Sequence, residues 1–359
     1  MSATDERFNL VTDWVTQELR LSPRLIEPAS SDASFRRYFR IFVEGGTHIV
    51  MDAPPGREDV RPYLNITIML ETAGVHVPRA YEWDIERGLV LLEDLGTRPY
   101  LQELQNGANA DQLYRDALRS LADIQARGRQ SAFELPPYDR EVLVREMSLM
   151  PEWFCARHLG LDLTRAQAEM ITAAFEFLVA EALAQPQVFV HRDYHSRNLM
   201  VMHERNPGII DFQDALRGPV GYDLVSLLKD CYISWPRARV KDWVRDYRLM
   251  MHERGALSAG ANDAEMLRWF DVIGIQRHLK VLGIFARLWY RDGKSGYLND
   301  LPLTLQYVVD ACAAFRQLRP LREFLLHSVV HLLPGANARE AQKISAGHAS
   351  AAACGVAPA

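Results

Sequence analysis

The stretch VHRDYHSRNLMVMHERNPGIIDFQDA, residues 190–215, holds the residues that decide the fold. A short apolar run leads to Asp193, a polar loop continues to Asn198, and two further apolar runs, LMVM and GII, precede Asp211. If these two runs pair as antiparallel strands, Asn198 and Asp211 return to the same end of a hairpin, beside Asp193. The order of residues therefore predicts that two carboxylates and one amide oxygen converge.

Oxygen ligands of this kind suit Mg²⁺, which proteins hold through a few oxygens together with substrate phosphates. Phosphoryl transfer uses such a site, in which one of the two carboxylates accepts the proton of the attacking hydroxyl instead of binding the metal. The order H-R-D-x-x-x-x-N followed by I-D-F matches the kinase signature. We predict Asp193 as the general base, His191 as the support of this catalytic loop, and Asn198 and Asp211 as metal ligands. The alternative is a polar turn with helix caps, where Asp and Asn are common.

Composition sets broad limits on the class of protein. The chain has 359 residues, 48% of them hydrophobic, which suits a globular protein of two lobes. The net charge of -5 provides no general basic surface, so nucleic acid is not an expected partner. The four cysteines (Cys155, Cys231, Cys312 and Cys354) form no CxxC or Cys/His cluster, and neither a zinc site nor a disulfide framework is predicted.

The beginning of the chain, MSATDERFNLVTDWV, is acidic and amphipathic and lacks the basic and apolar regions of a signal peptide. The apolar runs elsewhere are shorter than a membrane span. We therefore expect a cytoplasmic protein with no membrane partner. The sequence leaves the oligomeric state open.

The first 95 residues show the periods of a small sheet with one inserted helix. Residues 8–19 have helical spacing, and the runs YFRIFV and HIVMDA, joined by Glu-Gly-Gly-Thr, are typical of a β-hairpin. The segment REDVRPYLNITIMLETAG predicts a helix with Pro62 in its first turn. Two more strands are predicted on either side of residues 84–87.

From Pro99 onward the pattern is mostly helical, apart from residues 188–213. Helices are predicted over 109–127, 164–184, 221–233, 238–254, 263–291 and 301–327. The segment from residue 336 is small and polar without apolar periodicity, which predicts a mobile tail over 336–359.

The motifs HRDYHSRN, IIDFQDA and GPVGYDLVSLL together resemble the aminoglycoside phosphotransferase-like family of small-molecule kinases, related in fold to protein kinases. In that family Asp-Phe-Gly is often replaced by Asp-Phe-x, here Asp211-Phe212-Gln213. The family also carries a Gly-Pro-x-x-Tyr-Asp-Leu stretch, in which Asp223 braces the catalytic loop by resemblance. Over roughly residues 30–325, SSDASFRRYFRI, MDAPPGRED, LLEDLG and QRHLKVLGIFARLWYRDGK resemble more closely the anomeric amino-sugar kinases of bacterial cell-wall recycling.

The resemblance implies an α+β, bilobal protein-kinase-like fold, with a small β-rich N-lobe over 1–95 and a mostly helical C-lobe over 96–335. It implies ATP and Mg²⁺ as cofactors and N-acetylmuramate and/or N-acetylglucosamine as acceptor, giving the sugar 1-phosphate in peptidoglycan recycling. Two alternatives stay open: another small-molecule acceptor (aminoglycoside, choline, homoserine or a ketosamine), and a nucleotide-binding pseudokinase that serves as a scaffold. The segment between Asp211 and Tyr222 is too short for the activation loop of a protein kinase.

By resemblance, the strand GLVLLEDLG leads to the hinge, where the backbone of Glu93, Asp94 and Leu95 meets the adenine. The loop SSDASFRRYFRI takes the place of the phosphate-covering loop without any glycine, and four residues are predicted to bind phosphate: Ser31, Ser34, Arg36 and Arg37. Alternatively, the arginines only solvate an edge strand.

The strand HIVMDAPP lacks the lysine that protein kinases use to bind phosphate, because Met51 and Asp52 stand nearest to that position. We expect an arginine of the preceding segment (Arg36, Arg37 or Arg40) to substitute. The alternative is that catalysis is lost. The missing lysine is the observation that supports a pseudokinase.

The acceptor is expected on the helix predicted over 263–291, which carries four polar residues near one face: Gln276, Lys280, Arg287 and Arg291. A guanidinium recognises a carboxylate such as the lactyl group of N-acetylmuramate. The basic character of this helix argues against a cationic aminoglycoside or choline. The alternative interpretation is a solvated basic stripe on a surface helix.

Overall fold

The computed structural model describes residues 5–30, 35–258 and 260–353, with the side chains of Ser30 and of 344–353 left aside. The chain forms two compact units. The first comprises Met1–Pro136, Val188–Leu216 and Glu253–Ala256, and the second comprises Pro137–Gln187, Arg217–His252 and Leu257–Ala359. Residues 96–136, which the sequence assigned to the C-lobe, belong to the first of these units. The units need not coincide with kinase lobes, and the lobe boundary at residue 95 stays a prediction.

The first unit contains a five-stranded antiparallel sheet in the order β1-β2-β3-β5-β4. The β2–β3 hairpin and the β4–β5 pair were predicted, whereas β1 was missed because Pro28 interrupts its pattern. The strands are β1 (Leu25–Ser30), β2 (Arg37–Val43), β3 (Gly46–Asp52), β4 (Ala80–Asp84) and β5 (Leu89–Glu93).

Helix α1 (Glu6–Asp13) covers one face of this sheet and continues as a wider helical turn over Trp14–Glu18. Its N-cap is Asp5, whose carboxylate accepts the Phe8 N–H at 3.1 Å. A core of Val11, Trp14, Phe39, Ile41 and Leu91 joins helix and sheet. Burial of each large apolar side chain stabilises the fold by about 1.5–3 kcal/mol. Because these side chains fill the space between helix and sheet, this face of the sheet is covered by the helix.

A buried carboxylate ties the same helix to the hairpin. Asp52 is fully buried at the end of β3 and accepts from Arg7 Nε at 2.9 Å and from Arg37 Nη2 at 2.8 Å. Arg37 also pairs with Asp5. Because a buried charge is tolerated only when it is paired, these contacts fix the side of the sheet to which Arg37 and Asp52 point.

The remainder of the first unit carries the hairpin that the sequence predicted. Strand β7 pairs antiparallel with β8, with Leu199 opposite Ile209. Helix α2 has Pro62 in its first turn, as expected. The elements are α2 (Arg61–Thr72), α3 (Tyr100–Gln105), α4 (Ala110–Arg127), β6 (Gln187–Val190), β7 (Leu199–Met200) and β8 (Gly208–Ile209).

The second unit is mostly helical and is built around α9, which packs against α5, α6, α7 and α10. At Gly283 on α9 an added Cβ would lie 2.2 Å from the Leu149 carbonyl carbon, so only glycine permits this backbone approach. The elements are α5 (Arg140–Met147), α6 (Arg165–Leu183), β9 (Leu216–Pro219), α7 (Tyr222–Leu228), α8 (Arg237–Glu253), α9 (Asp263–Asp292), α10 (Leu301–Cys312), α11 (Arg319–Phe324) and α12 (Leu333–Ala353).

Two helix predictions were too long. The helix expected over 221–233 ends at Leu228, and the one expected over 301–327 is divided between α10 and α11. Phe315 has extended backbone angles, and Pro320 in the first turn of α11 has no N–H to continue a helix from the residues before it.

The prediction of a mobile tail from residue 336 was wrong for the first part of that segment, which belongs to α12. Asn337 Oδ1 accepts from His158 Nε2 at 2.8 Å, and Glu340 accepts the Trp289 indole N–H at 2.9 Å. Alanine-rich sequence favours a helix, and these two contacts hold it on the second unit. Across the described ranges, no helix is both long and apolar enough to span a bilayer.

We predict that Asp52→Ala lowers the free energy of unfolding by about 3 kcal/mol, because removing one partner of a buried ion pair leaves the other charges uncompensated. Denaturant unfolding followed by circular dichroism measures this loss. Glu169→Ala is the control, since the Arg165–Glu169 pair is exposed and its loss changes stability by about 0.5 kcal/mol or less. Equal, small effects of both substitutions would show that Asp52 does not anchor the helix.

Candidate active site

The side-chain amide of Asn198 joins the three residues that the sequence singled out. Its Nδ2 donates to the backbone carbonyl of Asp193 at 3.0 Å and to Oδ2 of Asp211 at 3.3 Å. Its own backbone carbonyl accepts the Ile210 N–H at 3.0 Å, next to the β7–β8 pairing. The hairpin thus brings Asn198 and Asp211 to the loop that contains Asp193.

Two residues of this site hold left-handed backbone angles without being glycine. Arg192 has φ 79° and Asp211 has φ 64°. Such conformations cost of order 1–3 kcal/mol and persist only where surrounding contacts enforce them, commonly at functional sites. The side chain of each residue is held by a hydrogen bond. The Arg192 guanidinium donates to the Asp214 carbonyl at 3.4 Å, and the Asp211 carboxylate accepts from Asn198.

His191 supports the loop from beneath. The ring is fully buried, its Nε2 lies 3.1 Å from the Ile210 carbonyl, and its Nδ1 accepts the Asp193 N–H at 3.3 Å. Burial lowers the pKa of His191 to about 4, so the imidazole is neutral near pH 7, with Nε2 as donor and Nδ1 as acceptor. This geometry is that of a structural support, and His191 itself does not face the reacting groups as a base.

Asp211 is held through both of its carboxylate oxygens. Gln213 Nε2 donates to Oδ1 at 2.7 Å, while Asn198 donates to Oδ2. Because the Asn198 nitrogen is used in this way, its Oδ1 is the atom left for a ligand. A carboxylate and an amide oxygen fit Mg²⁺. No group of three or more His, Cys, Asp or Glu side chains suited to a metal occurs in the described part of the chain.

A cavity of about 580 Å³ in the first unit reaches these residues. It is lined by residues of the sheet, by the segment after β5, and by Asn198 and Asp211. Its size suits a nucleotide. The lining residues are Ala29, Tyr38, Arg40, Ile49, Tyr63, Pro78, Leu92, Glu93, Asp94, Leu95, Gly96, Thr97, Pro99, Gln102, Arg197, Asn198, Met200, Ile210 and Asp211.

The predicted hinge residues Glu93, Asp94 and Leu95 all line this cavity. The Glu93 carboxylate contacts His76 Nε2 at 3.1 Å, and Asp94 accepts from Arg40 Nε at 2.6 Å and from Arg40 Nη2 at 3.0 Å. With both side chains engaged by protein groups, the backbone of this segment is the part that remains for a bound base.

Among the candidate arginines, Arg37 points away from the cavity. Arg37 faces α1, where it pairs with Asp52 and Asp5, whereas the neighbouring Tyr38 lines the cavity. Arg36 directly precedes β2, and a continued alternation of the strand predicts its side chain on the side of Tyr38. Ser31 and Ser34 lie outside the described residues.

Arg36 is also within electrostatic range of the cavity wall. Burial raises the pKa of Tyr63 well above its ordinary value, Tyr38 and Asp211 add to this effect, and Arg36 opposes it. The position of the missing lysine is taken by Met51, buried opposite Tyr38, while Asp52 points to the other face. Of the three arginines that the sequence proposed, Arg37 is paired with Asp52 and Arg40 with Asp94. Arg36 stays a candidate through its electrostatic effect on Tyr63.

The four predicted acceptor residues lie on α9 but do not form one exposed surface. Lys280 and Gln276 are buried: Lys280 Nζ contacts Glu146 and the Tyr222 hydroxyl, both at 3.1 Å, and Gln276 donates to the Tyr138 hydroxyl at 3.4 Å. Arg287 is half-buried, and burial lowers its pKa. Arg291 is exposed and pairs with Asp292 at 2.7 Å. Asp223 is buried in the first turn of α7.

Sequence analysis missed two side chains of this site. Tyr63 of α2 lines the cavity and stacks on Phe212, with 4.8 Å between ring centroids. Gln213, which holds Asp211, stood in the quoted stretch as an unassigned position. The signal for Gln213 was the replacement of the glycine that follows Asp-Phe in protein kinases, whereas nothing in the sequence indicated which residue of α2 faces the cavity.

Comparison with known proteins identifies the family and relatives of the chain. A model of the phosphotransferase enzyme family matches residues 25–259. An N-acetylmuramate/N-acetylglucosamine kinase of Pseudomonas aeruginosa is 45% identical over 333 residues, covering 89% of this chain and 96% of that protein. A kinase of the same name from Neisseria meningitidis is 43% identical over 305 residues, with 84% and 90% covered.

Solved structures of low sequence identity share the fold. An ethanolamine kinase of Plasmodium vivax has a TM-score of 0.59 at 12% identity, covering 86% of this chain and 89% of that one. An ADP-bound aminoglycoside phosphotransferase has a TM-score of 0.56 at 15% identity, covering 86% and 99%. The predicted α+β, protein-kinase-like fold, with a β-rich N-terminal part and a mostly helical C-terminal part, is confirmed.

Proposed function

Because the chain belongs to the phosphotransferase enzyme family, we propose that it transfers the γ-phosphate of ATP to the anomeric hydroxyl of N-acetylmuramate and N-acetylglucosamine. The product is the sugar 1-phosphate, which suits a cytoplasmic step of peptidoglycan recycling. Relatives named as kinases of these two sugars, 42–45% identical over 84–90% of the chain, support the choice of acceptor. The observation that carries the chemistry is the Asn198 amide joining Asp193 to Asp211.

Asp193 is the general base in this proposal. Its carboxylate accepts the proton of the sugar hydroxyl while the hydroxyl oxygen forms a bond to the γ-phosphorus. The bond from that phosphorus to the bridging oxygen of ATP breaks, and ADP leaves with the electron pair. His191 donates through Nε2 to Ile210 and accepts from the Asp193 N–H, so it keeps the base in place without changing its own charge.

Asn198 and Asp211 would hold Mg²⁺ through the amide oxygen and the carboxylate. When bound, the cation neutralises negative charge on the phosphates of ATP. The protein's contribution is the fixed orientation of both ligands, since Asp211 is restrained at each oxygen.

The adenine occupies the hinge end of the cavity, against the backbone of Glu93, Asp94 and Leu95. The triphosphate extends toward Asp211, and Arg36 supplies the charge that lysine supplies in protein kinases. Ser31 and Ser34 donate to phosphate in this proposal, whereas the Arg37 guanidinium is engaged by two carboxylates.

Of the four predicted acceptor residues, Arg287 and Arg291 remain proposed for the sugar. Gln276 and Lys280 are buried among protein groups and would act only as supports of α9. Arg287 and Arg291 are the guanidinium groups for the lactyl carboxylate. Asp223, buried at the start of α7, remains the proposed brace of the catalytic loop.

We predict that, with ATP and Mg²⁺, the protein converts N-acetylmuramate and N-acetylglucosamine to products with an anomeric phosphate signal in ³¹P NMR. An acceptor panel with ADP detection includes kanamycin, choline and homoserine, on which turnover should be at background. A phosphate on another hydroxyl would contradict the anomeric position. ATP binding without turnover on any acceptor would instead support a pseudokinase.

We predict that Asp193→Asn and Asp193→Ala lower kcat by about 10²–10⁴-fold, because the sugar hydroxyl loses its base. ATP affinity, measured by calorimetry, stays near that of the unchanged protein. Asp214→Asn, an exposed acidic residue of the neighbouring loop, is the matched control and keeps its kcat. Near-normal turnover of Asp193→Ala would rule out the assignment of the base.

We predict that Arg36→Ala raises the KM for ATP by about tenfold or more, the loss expected for a charge-assisted hydrogen bond. Arg37→Ala keeps the KM for ATP within about threefold but lowers the melting temperature, because Asp52 and Asp5 lose a partner. Steady-state kinetics and thermal unfolding separate the two effects. An unchanged KM in both variants and in the double variant would show that neither arginine replaces the lysine.

A further inference from the structure

Gln213 occupies the position where protein kinases carry the glycine of Asp-Phe-Gly. Its side chain is 8% exposed, and its Nε2 lies 2.7 Å from Oδ1 of Asp211. Gln213 thus donates a hydrogen bond to Asp211, the residue proposed to bind the cation. A glycine at this position has no side chain to provide that hydrogen bond.

The contact changes what Asp211 can do. With Gln213 on Oδ1 and Asn198 on Oδ2, the carboxylate is fixed in rotation about its terminal torsion. Asn198 is fixed in turn, because the same Nδ2 donates to the Asp193 carbonyl. Gln213 is neutral, so it orients the carboxylate without cancelling the negative charge that attracts a dication, as an arginine or lysine would.

The other end of the Gln213 amide indicates a ligand. Its Oε1 is buried, and within the described ranges no protein group donates to it. A buried carbonyl oxygen without a partner costs about 1–3 kcal/mol, and such groups are normally satisfied by water or a bound group. Mg²⁺ in nucleotide sites usually retains several waters, which are strong donors.

We propose that Gln213 is a positioning residue for the divalent cation: its N–H group orients Asp211, and its carbonyl oxygen accepts a hydrogen bond from water that hydrates the cation. The proposal rests on the proposed function, since it presumes that Asp211 is a metal ligand. It assigns to one amide both the restraint on the ligand and the recognition of the hydrated ion.

The test measures cation binding without turnover. Mn²⁺ is titrated into the protein with ADP, and free Mn²⁺ is followed by electron paramagnetic resonance. Gln213→Met keeps the length of the side chain but has neither polar group, and its Mn²⁺ affinity should fall by about tenfold or more, the usual effect of losing a residue that orients a metal ligand. Affinity for ADP without metal should be unchanged.

Gln213→Glu separates the two ends of the amide. It retains an acceptor oxygen but cannot donate to Asp211, so its kcat should fall as in Gln213→Met while its Mn²⁺ affinity falls less. Gln306→Met is the matched control, because Gln306 Nε2 donates to Asp310 Oδ1 at 2.6 Å on an exposed face of α10. This control should leave both kcat and Mn²⁺ affinity unchanged.

Mn²⁺ affinity within twofold of the unchanged protein in Gln213→Met would overturn the proposal, even if kcat or the melting temperature fell, since those losses alone would indicate a structural role. If Gln213→Met does not fold, a loss of kcat with a smaller loss of Mn²⁺ affinity in Gln213→Glu, beside a normal Gln306→Met, still supports the proposal. Normal affinity and kcat in Gln213→Glu overturn it. Failure of the unchanged protein to bind Mn²⁺ with ADP would instead contradict the proposed function.

Discussion

One side-chain amide ties together the reactive part of this molecule. Asn198 donates to the backbone of Asp193 and to the side chain of Asp211. These are the residues that we propose as general base and metal ligand of phosphoryl transfer. The β7–β8 pairing places Asn198 and Asp211 at the same end of a hairpin. Because the hairpin is short, its strand pairing alone does not fix these residues. The hydrogen bonds of the Asn198 side chain and of the buried His191 ring hold Asp193 and Asp211 in place.

The sheet of the first unit separates structural from functional charge. On one side, Asp52 is buried with Arg7 and Arg37, and these contacts attach the N-terminal helix. On the other side, Tyr38 and Arg40 face the cavity. Arg36, which directly precedes β2, is the cation that we propose for phosphate in place of the usual lysine.

The catalytic hairpin could be predicted from the sequence because its contacts are local. All of its residues fall within 26 positions, and the spacing of the apolar runs determines which ends meet. The hairpin of β2 and β3 and the long helix α9 were predictable for the same reason, since each has a period that one segment displays by itself.

Contacts between distant segments were not predictable. Asp52 pairs with Arg7, 45 positions away, and Arg40 reaches Asp94, 54 positions away, so no local pattern reveals either pair. Helix α12 was mistaken for a tail because its partners, His158 and Trp289, lie far back in the chain. The sequence correctly predicted that the polar residues Lys280 and Arg291 lie on one helix, α9. Their spacing could not show that Lys280 is buried beside Glu146 whereas Arg291 is exposed.

The most direct test of this account is a crystal structure with Mg²⁺ and a non-hydrolysable ATP analogue. It should place the Asn198 amide oxygen and an Asp211 carboxylate oxygen at about 2.0–2.1 Å from the cation, with the Asp193 carboxylate open to the γ-phosphate. A cation held without Asn198 and Asp211, or a γ-phosphate directed away from Asp193, would contradict it.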